Sequence, residues 1–147
     1  MNSNLLAWAA GFIDGEGTIS MYARYDRTIG YAIKLGAVNT YLPSLQRLQL
    51  MFGGSIQPSR SKDCVYAQNW KPAFHWSLGP KASEQALKQL RSYIFIKRPQ
   101  LELALEARRL VRPRSENGAG CKLTQQEIKK SEKMVQKFRQ LNKKGKG

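Results

Sequence analysis

The sequence predicts an α+β domain in which an antiparallel sheet lies against a layer of helices. Two features predict it: segments of alternating apolar and polar residues that are typical of strand pairs, and segments of helical periodicity before, between and after them. The predicted order is α-β-β-α-β-β-α-α-α. The 147 residues, 41% of them hydrophobic, suit one globular domain over residues 1–147. Its core is expected over about 3–111, followed by a basic helix and tail over about 122–147.

The first predicted helix begins at Ser3, a favourable N-cap residue, and ends at Gly15 and Gly17. One side carries large apolar residues that are expected to face the core: Leu5, Trp8, Phe12 and Ile13. The opposite side carries small residues: Ala7, Ala10 and Gly11. A helix that is apolar on both sides is buried on both sides, so the small side is expected to receive another helix backbone.

The remaining elements follow from the period of the pattern and from capping residues. From Thr18 the period is two, which predicts a strand pair that ends near Asn39. A helix with a proline start at Pro43 and a glycine stop at Gly53 follows. The later predicted elements are strands Ser55–Ser59 and about Cys64–Leu78, and helices of about Lys81–Tyr93, Pro99–Val111 and Thr124–Leu141, the last opened by a capping box of Thr124 and Glu127.

The charge balance indicates the class of partner. Lysine and arginine number 25 against 10 acidic residues, a net charge of +15, which points to a polyanion and above all to nucleic acid. The longest apolar stretch, Leu5–Ile13, is too short to cross a bilayer, so no membrane partner is expected. Cys64 and Cys121 stand far apart with His75 as the single histidine, which argues against a zinc site and against histidine-dependent nucleases.

Polar residues on the predicted strands form a candidate DNA-binding surface. A twisted antiparallel ribbon fits the major groove, where Arg and Lys suit guanine and Gln suits adenine. An ordinary solvated sheet face is the alternative. The candidates are Tyr22, Arg24, Lys34, Gln57, Ser59, Arg60, Lys62, Tyr66, Gln68 and His75. The basic segment 122–147 either contacts phosphate without reading bases or is a solvated helix face with a tail.

The stretch "GFIDGEGTIS" places two carboxylates, Asp14 and Glu16, at the end of an apolar segment. No Lys or Arg precedes Arg24, so no basic residue nearby in the sequence can pair with them. Carboxylates beside apolar surface are costly unless something neutralises them. A metal ion, a hydrogen-bonded turn or solvent would do so.

The stretch "AAGFIDGEG", Ala9 to Gly17, resembles the motif of the LAGLIDADG homing endonucleases position for position. The small Ala10–Gly11 pair, the apolar pair after it, Asp14, an acid at Glu16 and a closing Gly17 all fit. The motif occurs once, as in the single-motif members of the family that work as homodimers. The predicted order of elements also matches the family's αββαββα core with a DNA-binding antiparallel sheet and additional C-terminal helices.

The resemblance implies a dimer contact, a metal site and a reaction. Ala7, Ala10 and Gly11 would pack against a second copy, with Asp14 as a turn and interface residue. Glu16 would lie beside its symmetry mate under the minor groove of bound DNA. Two carboxylates brought close are stabilised by divalent cations between them and phosphate oxygens. Mg²⁺, with Mn²⁺ as a substitute, would be held by Glu16 and the backbone carbonyl of Gly15.

Further site residues follow from the same resemblance. "IFIKRPQ" matches the place of a lysine that supports the reaction in related enzymes, which gives Lys97 that role and makes Arg98 a phosphate contact. Asn39 or Thr40, after the second strand, would position water.

The implied protein is a homodimeric endonuclease without a small-molecule cofactor. It would cut double-stranded DNA at a long, pseudo-palindromic site and leave short 3′ overhangs. An RNA-binding intron maturase and a non-cleaving DNA-binding regulator on the same scaffold are the alternatives.

Overall fold

The structure, a computed structural model, describes residues 2–24, 30–59, 71–109 and 125–143. Its elements confirm the predicted α+β class and order, and none of the described helices is long and apolar enough to cross a membrane. The elements are α1 Ser3–Glu16, β1 Gly17–Arg24, β2 Gly30–Asn39, α2 Leu42–Phe52, β3 Ser55–Pro58, β4 Phe74–Ser77, α3 Pro80–Leu90, α4 Arg98–Arg109 and α5 Gln125–Leu141. Cys64, Cys121, Thr124 and the side chain of Glu127 lie outside the described residues.

The four strands form one antiparallel sheet in the order β1-β2-β4-β3. The face that carries Ile33, Leu35 and Trp76 has no exposed area at these positions. These side chains share one hydrophobic core with apolar residues of all five helices. The helices therefore cover one face of the sheet, and the residues that alternate with the buried ones lie on the other face.

The helix α1 turns Ala9, Ala10 and Ile13 into this core, each with no exposed area. The prediction that Ala10 lies on the outer, small face is therefore wrong. Residues three and four apart share a helix face, so Ala9 and Ala10 lie beside Ile13. The N-cap is also one residue earlier than predicted, because the Asn2 side chain accepts a hydrogen bond from the N–H of Asn4 at 2.9 Å.

The large residues of α1 form a half-buried stripe beside Ile13, and its Trp8 and Phe12 pack against the core, as predicted. Trp8 and Phe12 stack with their ring centroids 5.6 Å apart. The guanidinium of Arg47 in α2 lies 4.9 Å from the centre of the Trp8 ring, a cation–π contact that joins α1 to α2. Leu5 continues the stripe and is also half-buried.

The closing glycine of the motif is required by the junction between α1 and β1. The helix passes into the strand without a loop, and the N–H of Gly17 donates to the Ile13 carbonyl. A Cβ atom at Gly17 would lie 2.6 Å from that carbonyl oxygen and 2.8 Å from the Ile13 Cα. Backbone atoms cannot move aside cheaply, so only glycine fits this close approach.

The C-terminal helix α5 belongs to the same core. Val135 and Phe138 are buried among the other helices. Just past its end, the side-chain amide of Asn142 donates to the Ile19 carbonyl of β1 at 3.0 Å. Gln100 of α4 donates to the Leu141 carbonyl at 3.1 Å. The helix is therefore fixed at its end to both β1 and α4.

One buried polar side chain joins the sheet to the helix layer. Ser83 of α3 has no exposed area, and its hydroxyl accepts a hydrogen bond from the Leu35 N–H at 2.9 Å. The same hydroxyl donates to the Leu78 carbonyl at 3.2 Å. A buried backbone group that loses its partner costs free energy, so this hydroxyl stabilises the attachment of α3 to β2.

We expect Ser83→Ala to lower the free energy of unfolding by about 1–3 kcal/mol, because the Leu35 N–H is left buried without its acceptor. Urea denaturation followed by circular dichroism measures the change. The control is Ser92→Ala, at an exposed position just after α3, which should change stability by less than about 0.5 kcal/mol. Equal stability of the two variants would contradict the assignment.

Candidate functional site

The face of the sheet opposite the described helices brings together four of the predicted DNA-binding side chains: Tyr22, Lys34, Gln57 and His75. The register places them there, because His75 pairs with both Val38 and Gln57 and Lys34 pairs with Ser20. Tyr22 lies on the same face and is 46% exposed. We call this surface the outward face. Ser59 follows β3, and its N–H donates to the Ala73 carbonyl at 2.8 Å.

The other predicted strand residues are not placed by the structure. Arg60, Lys62, Tyr66 and Gln68 lie outside the described residues, as does the side chain of Arg24.

An open groove of about 450 Å³ crosses the outward face. It lies between Tyr22 and Lys34 on one side and the start of α3 on the other, and its lining includes Ser55 and Ser77. These two serines are not among the residues predicted from the sequence. Ser55 lies two residues from Gln57, and Ser77 lies two residues from His75, so the period of two could have identified them as outward-facing.

The imidazole of His75 lies across the backbone of Gly36. A Cβ atom at Gly36 would be 3.0 Å from His75 Nε2 and 2.9 Å from the Trp76 carbonyl oxygen, so a larger residue would displace the ring. Partial burial and the positive charge of Lys34 both lower the pKa of His75 below its usual value, burial being the larger cause. The imidazole is therefore neutral at neutral pH and can both donate and accept a hydrogen bond.

The C-terminal end of α1 carries the second acid of the motif. Glu16 is exposed and makes no hydrogen bond or ion pair with any described residue, and Gly15 beside it is exposed as well. Gly17, the first residue of β1, pairs with Ala37, so Asn39 at the end of β2 lies at the same end of the sheet as the end of α1. The Asn39 side-chain oxygen accepts a hydrogen bond from the Tyr41 N–H at 2.7 Å, which gives this residue a structural role in the turn.

The first acid of the motif is bonded within its own chain. One carboxylate oxygen of Asp14 accepts hydrogen bonds from the N–H groups of Phe95 at 2.8 Å and Ile96 at 3.1 Å. The other oxygen accepts from the Lys97 N–H at 2.9 Å. The Lys97 amine donates to the Asp14 backbone carbonyl. Both carboxylate oxygens thus bind the turn before α4, in agreement with the predicted structural role of Asp14, whereas its interface role stays a prediction. Lys97 is brought to the end of α1.

Two arginines near Lys97, Arg98 and Arg91, make contacts of their own. Arg98 is exposed, and its guanidinium donates to the Arg91 carbonyl at 3.0 Å. Arg91 itself forms a two-point pair with Glu102 at 2.7 and 2.8 Å. That hydrogen-bonded pair raises the pKa of Arg91. The contact between Arg98 and the Arg91 carbonyl therefore joins the start of α4 to the end of α3.

Apolar side chains are exposed next to this turn. Phe95 is 84% exposed and Ile96 is 68% exposed. On α1, Ala7 and Gly11 are exposed and flank the half-buried stripe of Leu5, Trp8 and Phe12. Ala7 and Gly11 were predicted from the sequence, whereas Phe95 and Ile96 were not, because an apolar run before a helix is equally typical of a buried segment.

The acids available for metal binding are few within one chain. The described residues contain no group of three or more His, Cys, Asp and Glu side chains that could hold a metal ion. Asp14 is engaged by the turn, which leaves the Glu16 carboxylate and nearby backbone carbonyls at the end of α1. These oxygen donors are of the type that Mg²⁺ prefers, but a single chain offers only part of a coordination shell.

No family model matches the chain, and no curated protein matches its sequence. Solved structures do match. The homing endonuclease I-CvuI in complex with its target has a TM-score of 0.66 at 19% identity, over 96% of this chain and 83% of that chain. The archaeal intron-encoded homing endonuclease I-Vdi141I complexed with DNA has a TM-score of 0.67 at 16% identity, over 95% and 85%.

The LAGLIDADG meganuclease I-AabMI bound to uncleaved DNA has a TM-score of 0.58 at 14% identity, over 88% of this chain and 44% of that chain. The chain therefore has the fold of the LAGLIDADG homing endonucleases, and the predicted fold is confirmed.

We expect Lys34→Gln to raise the pKa of His75, because removal of a neighbouring positive charge makes protonation easier. His75 is the single histidine, so its imidazole signals in a proton NMR titration need no assignment. Lys88→Gln, at an exposed lysine paired with Glu84 on α3, is the control and should leave the titration unchanged.

The same pKa shift has a consequence for stability. Because the folded pKa is lowered, folding favours the neutral imidazole, and this contribution is lost as the pH falls through the unfolded value of about 6.5. Lys34→Gln should weaken that pH dependence of the free energy of unfolding. An unchanged His75 titration in Lys34→Gln would contradict the electrostatic contact.

Proposed function

We propose that this chain, which has the fold of the LAGLIDADG homing endonucleases, is a sequence-specific endonuclease that cuts double-stranded DNA as a homodimer. One observation carries the proposal: the Glu16 carboxylate is exposed, has no partner among the described residues, and lies at the junction where α1 passes directly into the sheet. A reactive group at that junction would be next to whatever the outward face binds. The charge of +15 favours DNA as the bound molecule.

DNA recognition is assigned to the outward face. Lys34, Gln57 and His75 offer donors and acceptors on one uncovered surface, as base-edge recognition in a groove requires. Lys34 suits guanine and Gln57 suits adenine. Two copies related by a two-fold axis would present this face twice, so the target would be long and pseudo-palindromic.

The dimer contact is assigned to the exposed side of α1. Ala7 and Gly11 are small and exposed, and a Cβ atom at Gly11 would meet nothing within 4 Å in its own chain. Small residues allow two helix backbones to approach closely, and a two-fold contact uses the same patch on both subunits. The exposed apolar side chains of Phe95 and Ile96 favour a covered surface at this end of the molecule. Ala10, buried in its own core, has no part in this contact.

The metal site would be completed by the dimer and the DNA. The Glu16 carboxylate and the Gly15 carbonyl would hold Mg²⁺, or Mn²⁺ in its place, together with the partner subunit's Glu16 and phosphate oxygens. The bound metal would activate water and stabilise the departing 3′ oxygen. Lys97 would supply positive charge beside the scissile phosphate, and Thr40 or Asn39 would orient water. If the two Glu16 residues face phosphates across the minor groove, cleavage of the two strands there would leave short 3′ overhangs.

We expect Glu16→Gln to lose cleavage and to keep DNA binding. The amide has nearly the same shape but lacks the charge that binds a divalent cation, so the cleavage rate should fall at least about 100-fold. Phosphate and strand contacts are unchanged, so affinity should survive or rise. Selection from random duplex DNA with Mg²⁺ gives the target, and gel shift and cleavage are then compared on that site.

The matched control for this experiment is Glu106→Gln, the same substitution at an exposed carboxylate of α4. It should cut and bind as the wild type does. A Glu16→Gln variant that cuts at the wild-type rate would exclude Glu16 as the metal ligand. A wild type that binds duplex DNA and never cuts it would instead support a DNA-binding regulator.

We expect Gly11→Leu to abolish dimerisation and cleavage together. The added side chain has open space in its own chain, so it should leave the fold intact and obstruct only the approach of a second α1. Light scattering should give twice the 16.7 kDa of one chain for the wild type and a single-chain mass for the variant. Gln85→Leu adds the same side chain to an exposed position of α3 and should remain dimeric. A wild type that cuts DNA with the mass of one chain would refute the dimer.

A further inference from the structure

The contact between Asp14 and the turn before α4 is built from four hydrogen bonds. Three successive backbone N–H groups, those of residues 95 to 97, converge on the two oxygens of one carboxylate at 2.8–3.1 Å. Successive N–H groups that point to one place form an anion-binding concavity, here filled by a side chain of the same molecule. Hydrogen bonds to an ionised acceptor are stronger than those between neutral groups.

The turn has little else to fix its backbone. Phe95 and Ile96 are largely exposed, so the burial of their side chains contributes little to the conformation, whereas Ile94 before them is 2% exposed and anchors the entry. The exit is anchored by α4, where the Leu101 N–H donates to the Lys97 carbonyl at 3.0 Å. Between these two anchors, one long backbone bond joins the Arg98 N–H to the Phe95 carbonyl at 3.4 Å, so the carboxylate of Asp14 makes most of the contacts that fix the turn.

The same contact fixes the direction of the Lys97 side chain. The last carbonyl groups of a helix lack partners within the helix, and the helix dipole makes that end negative. The Lys97 amine donates to one of these carbonyls, that of Asp14, two residues before Glu16. Its backbone N–H is at the same time bound to the Asp14 carboxylate. Both ends of the lysine are therefore attached to one residue of α1.

We propose that Asp14 is a positioning residue: its carboxylate shapes the turn of residues 95 to 97 and thereby holds the Lys97 amine at the end of α1 that carries Glu16. The inference rests on the proposed endonuclease function, in which Lys97 acts at the scissile phosphate. Asp14 itself touches neither DNA nor metal in this assignment. It gives the two acids of the motif different tasks: Glu16 is exposed and has no partner among the described residues, whereas both oxygens of Asp14 are bonded to the turn.

Asp14→Asn is the informative variant. The amide keeps the shape of the side chain, but only one of its two terminal atoms can accept a hydrogen bond. It therefore loses either the Lys97 contact or the contacts to Phe95 and Ile96. Lys97→Met removes the amine and keeps an unbranched side chain of similar length. If Asp14 acts through Lys97, the two changes should not be additive.

The first measurement is amide hydrogen exchange of the free protein, which needs no cleavage. In the wild type, the N–H groups of Phe95, Ile96 and Lys97 should exchange at least about ten-fold more slowly than that of exposed Ser92, because they are bonded to the carboxylate. Asp14→Asn should remove the protection either of Lys97 or of Phe95 and Ile96, whichever faces the amide nitrogen. Unprotected amides in the wild type would overturn the proposal even if the variant does not fold.

The second measurement is the single-turnover cleavage rate on the selected target at saturating protein, together with the dissociation constant. Asp14→Asn should slow cleavage about 10- to 100-fold, the usual effect of a misplaced group, and change the dissociation constant less than about two-fold. Asp14→Asn should have no further effect in the Lys97→Met background. An equal slowing in both backgrounds, or none in either, would overturn the proposal.

The control for loosening of α4 is Glu102→Gln. Glu102 lies on α4, and the change weakens its ion pair with Arg91, which follows the end of α3. It should leave the exchange of residues 95 to 97 and the cleavage rate unchanged. A Glu102→Gln variant as slow as Asp14→Asn would assign the effect to general loosening and overturn the proposal. If the wild type never cuts DNA, the proposed function fails, and the exchange data alone decide whether Asp14 holds the turn.

Discussion

The hydrogen bonds of the Asp14 carboxylate connect two helix ends that are 81 residues or more apart in the sequence. One is the C-terminal end of α1, which carries Glu16, and the other is the start of α4, which follows Lys97. Without an acceptor, three adjacent N–H groups would have to find other partners, and no burial of Phe95 or Ile96 would fix their turn. The candidate site depends on this contact, because it brings Lys97 to the end of the helix that carries Glu16.

The two faces of the sheet have different tasks: the inward face packs in the core, and the outward face carries the residues proposed for recognition. His75 and Trp76 are neighbours in β4, yet Trp76 has no exposed area and packs in the core, whereas His75 lies on the outward face. Replacing a buried side chain on the inward face by a smaller one leaves a cavity and destabilises the fold. Most residues of the outward face contribute little to the core, with Ala32, which is 2% exposed, and Gly36, whose backbone the His75 ring covers, as exceptions. Side chains on a surface that is not needed for folding can be substituted with little loss of stability.

The order of the elements could be predicted from the sequence because periodicity is a local property of the chain. The closing Gly17 was predictable from the motif, and the structure gives its physical reason in the approach to Ile13. The orientation of α1 was only partly predictable: Ala7, Ala10 and Gly11 are all small, and size alone does not tell which of them faces the core. Geometry decides, since Ala10 shares a face with Ile13.

The partner of Asp14 could not be predicted from local pattern. Nothing in "GFIDGEG" indicates that its first acid binds backbone groups that lie 81 residues further on, and a metal ion, a turn and solvent fit the composition equally well. The exposure of Phe95 and Ile96 was hidden for a similar reason. Both depend on which distant elements the fold brings together.

The two outer strands of the sheet have a consequence for how copies of this chain can meet. An unpaired strand edge is a template for pairing with another chain, which leads to open-ended aggregation. Here the edge at β1 has its Ile19 carbonyl occupied by the Asn142 side chain, and the edge at β3 is four residues long and ends at Pro58, which has no N–H to donate. Growth of the sheet from one molecule into the next is thereby obstructed on both sides, so self-association is directed away from strand addition and toward closed contacts between helices.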